Sequence, residues 1–284
     1  MLVLRRLPWS VWMLGALYLL VLAADLTTTH DYFEQHRRHA LMPPLSSADG
    51  DFFLLGTDRL GRDVLARLLH GGRVSLGAGL LAGLMAVGLG TVVGGLAGLW
   101  GGWVDTAVLK AMELFMALPW LYLILAVRAS LPLAVPTAWT LVLMVLVIGV
   151  LGWVRPARLV RDEVRRARQD TSFLASRGLG ARNRHLLWYH LLPPTRGVIL
   201  VQTAILVPRF VLAEVTLSFL GLGVAEPVPS WGTMLAALRQ QYLLVTAWWL
   251  LAPAFALIVV VLSYHHLTRV LQQRLDVRTL QKAR

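Results

Sequence analysis

The sequence predicts an all-α integral membrane protein with six transmembrane helices, from its composition and from six apolar stretches. Of its 284 residues, 57% are hydrophobic and only 15% are charged, and the mean hydropathy is +0.65. Soluble domains carry about 25% charged residues, and disordered chains are polar and poor in aromatic residues. The chain contains no cysteine, which excludes a disulfide framework, a thiolate metal site and a cysteine nucleophile.

Each apolar stretch is near the roughly 20 residues that a helix needs to cross a bilayer core of about 30 Å. In chain order the stretches are 7–26, 74–99, 106–127, 137–154, 198–224 and 247–267. We expect the fifth to be broken at Pro208, Arg209 and Glu214. The first could instead be a cleaved signal peptide, but its length and its mediocre cleavage site favour an uncleaved anchor. An even number of spans places both termini on one side.

The basic residues indicate the orientation of these spans. Segment 155–197 holds ten arginines against three acids, and the tail 268–284 has a net charge of +4. Segment 27–73, in contrast, is balanced by its acids. Cytoplasmic loops of membrane proteins are enriched in Lys and Arg. We therefore expect residues 1–6, 155–197 and 268–284 to be cytoplasmic and 27–73 to be extracytoplasmic, with no nucleic-acid partner.

The second span carries a glycine period. The glycines are Gly90, Gly94, Gly98 and Gly102, preceded by Gly79 and Gly83. Small residues four apart form one groove along a helix, in which another backbone can approach closely. The period predicts tight packing inside this chain, and a seam for a second membrane subunit is the alternative.

Four ionisable residues lie within the predicted spans: Lys110, Glu113, Arg209 and Glu214. Charges in a membrane normally face a bundle interior or a water-filled cavity. Lys110 and Glu113 share a helix face and could pair, or their side chains could reach the membrane surface. Arg209 and Glu214 lie deeper, and we predict either a place in a translocation pathway or a structural pair between helices.

No motif for catalysis or for nucleotide binding occurs in the sequence. We find no HExxH, no GxSxG and no pair of carboxylates at glycosidase spacing. The eight histidines are scattered and predict no metal site. The two lysines, Lys110 and Lys282, do not follow a glycine-rich phosphate loop. We expect no cofactor and no enzymatic activity, so any ATPase must be a separate chain.

Segment 155–197 is too long for a simple connection and has the pattern of short helices. Its arginines recur at helical spacing at positions 158, 161, 165 and 168. Residues 173–181 predict a short helix that ends at a glycine, and residues 184–192 predict a second one ended by Pro193 and Pro194. Two short helices with a glycine corner could dock a cytosolic partner or lie flat on the membrane surface.

Three motifs resemble the permease subunits of the peptide/nickel class of ATP-binding-cassette (ABC) importers, and are most similar to the oligopeptide and dipeptide C-type permeases. The first is FLLGTDRLGRD at 53–63, followed by Arg67, Gly71 and RVSL at 73–76. The others are WVRPARLVR at 153–161, and LSFLGLG at 217–223 with PSWG at 229–232. The resemblance covers residues 53–278 and implies the six-helix fold of type I importer permeases. It assigns six residues to the family signature: Gly56, Thr57, Asp58, Gly61, Arg62 and Asp63.

The resemblance also implies a coupling element for ATPase subunits within 173–192. The implied coupling residues are Phe173, Leu174, Ala175, Ser176, Arg177, Gly178, Leu179, Gly180 and Ala181. Leu174 stands where this family commonly has a glutamate, and His190 begins the following His-Leu-Leu-Pro. In the tail, Thr268-Arg269 replaces the usual Gly-Asp, and Val277 replaces the usual proline of Leu-Asp-Pro-Arg.

The function that the resemblance implies is import of di- or oligopeptides across the cell (inner) membrane by alternating access. The implied partners are the lipid bilayer, a second homologous permease subunit, separate ATPase subunits and an extracytoplasmic solute-binding protein. The binding protein would deliver solute to an outer mouth near residues 40–72 and 226–242. Import of nickel or another small solute is the alternative within the class. An intramembrane enzyme and a secondary transporter are the alternatives outside it.

Overall fold

The computed structural model describes residues 8–117, 119, 122–123, 126, 137–239 and 246–282, most of which are helical. The helices are α1 (Trp9–Leu22), α2 (Ala24–Thr27), α3 (Val64–Trp100), α4 (Gly102–Ala117), α5 (Thr137–Leu151), α6 (Val154–Ala167), α7 (Thr171–Gly178), α8 (Asn183–Leu186), α9 (Leu192–Phe219), α10 (Trp231–Ala236) and α11 (Ala252–Lys282). A π-helical turn, Leu187–Leu191, joins α8 to α9. Three short 3₁₀ turns are Arg37–His39, Ala237–Arg239 and Trp248–Leu251. One antiparallel hairpin, β1 (Ser46–Ala48) and β2 (Asp51–Phe53), lies before α3.

Among the described residues, four helical segments are long and apolar enough to cross a membrane: Val64–Trp100, Trp139–Ala167, Trp188–Phe219 and Trp248–Leu275. They correspond to the second, fourth, fifth and sixth predicted spans. The first predicted span contains the shorter apolar helix α1. The third begins with α4, and most of its length beyond Ala117 lies outside the described residues.

One predicted helix end was wrong, and one helix begins before its predicted span. Helix α3 begins at Val64, ten residues before the predicted span 74–99, because the Asp63 carboxylate accepts the Leu65 N–H at 2.9 Å and caps the helix. Helix α9 begins at Leu192 and includes Pro193 and Pro194, which we expected to end a helix. The π-helical turn before them belongs to the same continuous helical run, so the two prolines lie inside that run instead of ending it.

The predicted break in the fifth span is also absent. Helix α9 continues through Pro208, Arg209 and Glu214 to Phe219. Proline is tolerated inside membrane helices because neighbouring groups can satisfy the backbone carbonyl that it leaves without a donor. The interruption was expected from sequence rules that hold best for soluble helices.

The chain forms two compact units, each assembled from separate stretches. Unit 1 comprises Met1–Leu80, Pro132–Met144 and Pro208–Leu267. Unit 2 comprises Leu81–Leu131, Val145–Val207 and Thr268–Arg284. In unit 1, fully buried side chains include Trp231, Phe53 and Leu76.

Within the described part of unit 2, buried apolar side chains form two clusters. One is Val160, Val164, Ala167, Phe173, Leu186 and Leu191, and the other is Met112, Val154 and Ala157. The larger cluster joins helix α6 to α7, α8 and the π-helical turn. It therefore supports the segment in which the sequence predicts the coupling element.

Candidate functional site

The signature residues 56–63 form a closed loop in unit 1 that leads directly into helix α3. Gly56 and Gly61 both have φ of +73°, a left-handed conformation that favours glycine. A Cβ atom at Gly56 would collide with the Met42 carbonyl oxygen, and one at Gly61 with the His36 carbonyl oxygen. The two glycines therefore allow residues 36–42 to pack against the loop.

Polar side chains of the signature hold this loop in shape. The Asp58 carboxylate accepts the backbone N–H groups of Leu60 and Arg62 at 2.8 and 3.0 Å. The Thr57 hydroxyl donates to the His39 carbonyl oxygen and accepts the Met42 N–H at 2.9 Å. Asp63 caps α3, and burial raises the pKa of its carboxyl despite the Leu65 N–H and His30, which lower it. The structure thus places the predicted signature residues in one loop.

We give the name signature cluster to a group of two carboxylates and two arginines: Asp58, Glu226, Arg62 and Arg67. Arg62 donates to Asp58 at 2.7 Å and to Glu226 at 2.8 Å. Arg67, which is only 2% exposed, donates to the other Glu226 oxygen at 2.8 Å. Burial opposes ionisation of Glu226, but Arg67 and Arg62 outweigh it, so the pKa of Glu226 lies below its ordinary value.

The signature cluster joins two of the motifs that carry the resemblance, at positions more than 150 residues apart. Next to it, the Trp231 indole donates to the Leu68 carbonyl oxygen at 2.9 Å, and the Trp231 N–H donates to Ser75 Oγ at 3.1 Å. A Cβ at Gly71 would lie 3.2 Å from the Ser230 backbone. The sequence identified both motifs but did not reveal that Glu226, between the LSFLGLG and PSWG stretches, ties them together.

The two predicted pathway residues lie in different environments within unit 1. Glu214 is fully buried and accepts a hydrogen bond from Ser218 at 2.7 Å. Arg209 is exposed on the same helix. The two side chains therefore do not share one buried site.

The predicted coupling helix is present in unit 2 as α7, and it ends as the glycine predicts. Gly180 has φ of +82°. The Ala181 N–H donates to the Ser176 carbonyl oxygen and the Gly180 N–H to that of Arg177, both at 3.0 Å. This pair of hydrogen bonds defines a Schellman motif, which satisfies carbonyls at the end of a helix.

One face of this coupling segment, residues 173–181, is anchored and the other is free. Phe173 is 1% exposed and packs in the larger apolar cluster of unit 2. Ser176 Oγ lies 3.0 Å from His190 Nε2, which links two positions of the family motif. Leu174 and Leu179 are 54% and 89% exposed. An anchored base with exposed apolar residues is suited to contact another protein chain.

Helices α3 and α6 pack through the glycines that the sequence singled out, and we call this contact the glycine seam. A Cβ at Gly90 would lie 2.6 Å from Pro156 Cβ, and one at Gly98 would lie 2.9 Å from the Arg161 carbonyl oxygen. At Gly94 a Cβ would collide with the Ala157 carbonyl oxygen. The prediction of tight packing inside the chain is confirmed for these three glycines. Gly102 lies beyond the end of α3, and a Cβ there would have no atom within 4 Å. The prediction that Gly102 belongs to the groove was therefore wrong.

A buried ion pair lies beside the glycine seam, and the sequence did not reveal it. The Arg161 guanidinium donates to both oxygens of Asp105, with Nη2 2.6 Å from Oδ2. Arg165 lies 3.1 Å from the same carboxylate, and Arg168 donates to the Gly98 carbonyl oxygen at 3.0 Å. Three of the four arginines at helical spacing therefore bind groups inside unit 2. The signal that could have revealed this was a lone acid, Asp105, just before the third predicted span.

Lys110 and Glu113, the other pair within a predicted span, are both exposed on α4. No ion pair joins them in the part of the chain that the structure describes. Their outward position agrees with the alternative in which such side chains reach the membrane surface.

Comparison with known proteins places these features in a family. The family model described as binding-protein-dependent transport system inner membrane component matches residues 90–277. The dipeptide transport system permease protein DppC of Bacillus subtilis is 34% identical over 261 residues, which cover 92% of this chain and 78% of the relative. The oligopeptide transport system permease protein OppC of the same organism is 33% identical, and the match covers 76% of this chain and 67% of the relative. OppC of Haemophilus influenzae is 30% identical, and the match covers 79% of this chain and 70% of the relative.

Proposed function

Because the chain belongs to the binding-protein-dependent transport system inner membrane components, we propose that it is the C-type permease subunit of an ABC importer for di- and oligopeptides. Members of this family are multi-pass membrane subunits of importers and not enzymes. An intramembrane enzyme and a secondary transporter are therefore no longer alternatives. The observation that carries the proposal is similarity to a dipeptide permease over 92% of the chain.

Membership of the family also implies the partners of the chain. We propose that a second homologous permease completes the pathway, that separate ATPase subunits supply the energy, and that an extracytoplasmic binding protein delivers the solute. The chain itself needs no reactive group, because its task is to pass a movement on between two conformations. Stiffly packed parts transmit such a movement. The glycine seam and the signature cluster are consistent with that requirement.

The arginine distribution supports the orientation that we propose. Residues 1–6, the coupling loop 155–197 and the tail 268–284 would face the cytoplasm, and the loop 27–73 would face outward. The signature cluster then lies at the outer end of unit 1, where a binding protein would dock. A pathway role of Arg209 and Glu214 stays a prediction, and of the two only Arg209 is exposed at the surface of the chain.

The coupling segment supports the proposed contact with an ATPase. Phe173 fixes α7 to the core of unit 2, and the left-handed Gly180 turns the chain back at its end. A movement applied to the exposed Leu174 and Leu179 would thus pass to the rest of unit 2. The leucine at 174 offers the partner an apolar contact where a glutamate is usual.

Uptake of radiolabelled peptides by cells that carry or lack this gene tests the proposed solute. We expect dipeptide and oligopeptide uptake to require the gene and to stop when ATP is depleted while the proton gradient is kept. Excess unlabelled nickel should not compete. Nickel-dependent competition, with no peptide uptake, would instead support the nickel importer of the same class.

Substitution Gly180→Asp tests the coupling role. We expect uptake to be lost, because an aspartate at φ of +82° is strained and adds a charge at the ATPase contact. The amount of protein in the membrane should stay unchanged. Gly101→Asp is the matched control, since Gly101 also has positive φ, of +67°, but lies outside the coupling segment. Normal uptake in the Gly180 variant would remove the coupling role.

A further inference from the structure

The imidazole of His30 lies between two carboxylates that belong to different elements of unit 1. Its Nε2 lies 3.3 Å from Oδ1 of Asp51, on strand β2, and its Nδ1 lies 3.5 Å from Oδ2 of Asp63, which caps α3. The ring stacks on the fully buried Phe53 with the ring centroids 5.0 Å apart. A single histidine therefore lies where the β1–β2 hairpin meets the start of α3.

The number of protons on this ring decides how many carboxylates it can serve. A neutral imidazole has one N–H donor, whereas an imidazolium has two and a positive charge. In the neutral ring a bare Nδ1 can accept the hydroxyl of Thr29, whose Oγ1 lies 3.2 Å away. In the protonated ring an N–H faces each carboxylate. Protonation thus changes a contact with one carboxylate into a bridge between two, and histidine changes its charge between about pH 5 and about pH 8.

The other titratable groups around the ring limit the bridge to mildly acidic conditions. Among the described residues, the titratable groups that face His30 are Asp51, Asp63 and His36, whose ring lies edge-on at a centroid distance of 6.0 Å. His36 has an acid of its own, since Glu34 Oε1 lies 3.7 Å from its Nε2. Burial raises the pKa of the Asp63 carboxyl, so stronger acid neutralises Asp63 and removes one end of the bridge.

We propose that His30 is a pH-sensitive clamp, which in its protonated form fixes the hairpin 46–53 to the start of α3. The hairpin is bonded to the signature loop, because the Gly56 N–H donates to the Phe53 carbonyl oxygen at 3.3 Å. The inference rests on the orientation proposed above, in which segment 27–73 faces outward, and not on the proposed solute. The clamp then makes the outer end of unit 1 tighter in a mildly acidic medium and looser in an alkaline one.

Hydrogen exchange of the full chain in detergent, followed by mass spectrometry, tests the clamp. Exchange is compared at about pH 6 and about pH 8 after correction for the intrinsic effect of pH on amide exchange. We expect the protection of the hairpin amides to be about fivefold higher at about pH 6, which corresponds to about 1 kcal/mol for one partly exposed ion pair. Equal protection at the two pH values would overturn the proposal.

Three variants assign the effect to His30. His30→Gln should keep the lower protection at both pH values, and an unchanged fivefold ratio in it would show that another group titrates. Asp51→Asn removes the more exposed of the two carboxylates, at 39% against 5% for Asp63. It should reduce the ratio to about twofold and leave the protection at about pH 8 unchanged, which shows that the hairpin is still folded. His70→Gln is the matched control, because it removes a histidine–carboxylate pair between α3 and α2, with Asp25 at 3.0 Å, and should leave the ratio at about fivefold.

A single introduced cysteine tests whether the clamp meets the external medium. The chain has no cysteine of its own, and Ser47 is exposed on the hairpin. We expect Ser47→Cys to react with a membrane-impermeant maleimide in intact cells. Reaction only after the membrane is made permeable would place the hairpin inside and overturn the sensing of external pH. Peptide uptake enters none of these measurements, so a failure of the proposed solute is seen separately from a failure of the clamp.

Discussion

The signature cluster of unit 1 and the glycine seam of unit 2 each tie together distant parts of the chain, but by different means. In the cluster, two arginines and two carboxylates connect the signature loop and the start of α3 to Glu226, which keeps 49% of its side chain exposed. In the seam, backbones touch through three glycines, and the Arg161–Asp105 ion pair beside them is buried, with side-chain exposures of 8% for Arg161 and 12% for Asp105. Glu226 can therefore draw on water when a partner is lost, whereas Asp105 has much less contact with water.

This difference predicts unequal sensitivity to mutation. A buried ion pair that loses one partner leaves an uncompensated charge in a medium of low dielectric. When the signature cluster loses Arg67, the half-exposed Glu226 is partly rehydrated and still pairs with Arg62. The four predictions below run from the largest expected effect to the smallest.

Substitution Arg161→Leu should destabilise the protein most. It leaves Asp105 with only the exposed Arg165, and the expected loss in the free energy of unfolding is about 3 to 5 kcal/mol. Thermal unfolding in detergent measures it. Arg155→Leu, at an exposed position on the same helix, is the control. The double variant Asp105→Leu/Arg161→Leu should regain most of the lost stability. If the double variant is as unstable as the single one, the unpaired Asp105 carboxylate is not the main cause of the loss.

Substitution Gly94→Ala should follow, with a loss of about 2 to 3 kcal/mol, because the new Cβ would collide with the Ala157 carbonyl oxygen and force α3 and α6 apart. The same unfolding measurement applies. Gly95→Ala is the matched control, since a Cβ there meets no atom within 4 Å. We expect that variant to be as stable as the unmodified protein or slightly more so. Equal stability of the two variants would show that the seam has room to relax.

Substitution Arg67→Gln should cost less, about 2 kcal/mol, because Arg62 still pairs with Glu226 and half of that side chain is in contact with solvent. Arg59→Gln, at an exposed neighbouring position of the signature loop, should have almost no effect. A loss as large as that of Arg161→Leu would erase the distinction between the two regions.

Acidification should produce the smallest effect when the contribution of Glu226 alone is followed. The pKa of Glu226 in the folded protein lies below its ordinary value. The contribution of Glu226 to the free energy of unfolding is therefore complete above the ordinary pKa, and it is lost as the pH falls through the lower pKa of the folded protein. Comparison of unfolding between about pH 7 and about pH 4 should show a smaller loss for Glu226→Gln than for the unmodified protein, by less than about 1 kcal/mol. The contribution of Asp63 to stability changes with pH in the opposite direction, because its pKa is raised, and it is the same in both proteins. Identical pH profiles would show that Glu226 is not stabilised as an ion.

Much of the local structure was predictable because it depends on neighbouring residues. The left-handed end of α7 was expected from Gly180, and Gly90, Gly94 and Gly98 were expected on one packed face, since the period of the helix brings residues four apart together. Where sequence rules failed, the membrane or the adjacent turn was the reason. Helix α9 runs through Pro208, and Pro193 and Pro194 follow a π-helical turn instead of ending a helix.

The sequence by itself determined the membrane class, the positions of the apolar segments, the glycine corner and the family motifs, because each depends on composition or on short spacing. Only the tertiary structure decided that Arg67 meets Glu226 and that Arg161 meets Asp105. It also decided that Glu214 is enclosed while Arg209 is exposed. A helix period specifies which residues share a face, but the partner of a charged side chain depends on how separate helices and loops pack, and the spacing of residues along the chain does not specify it.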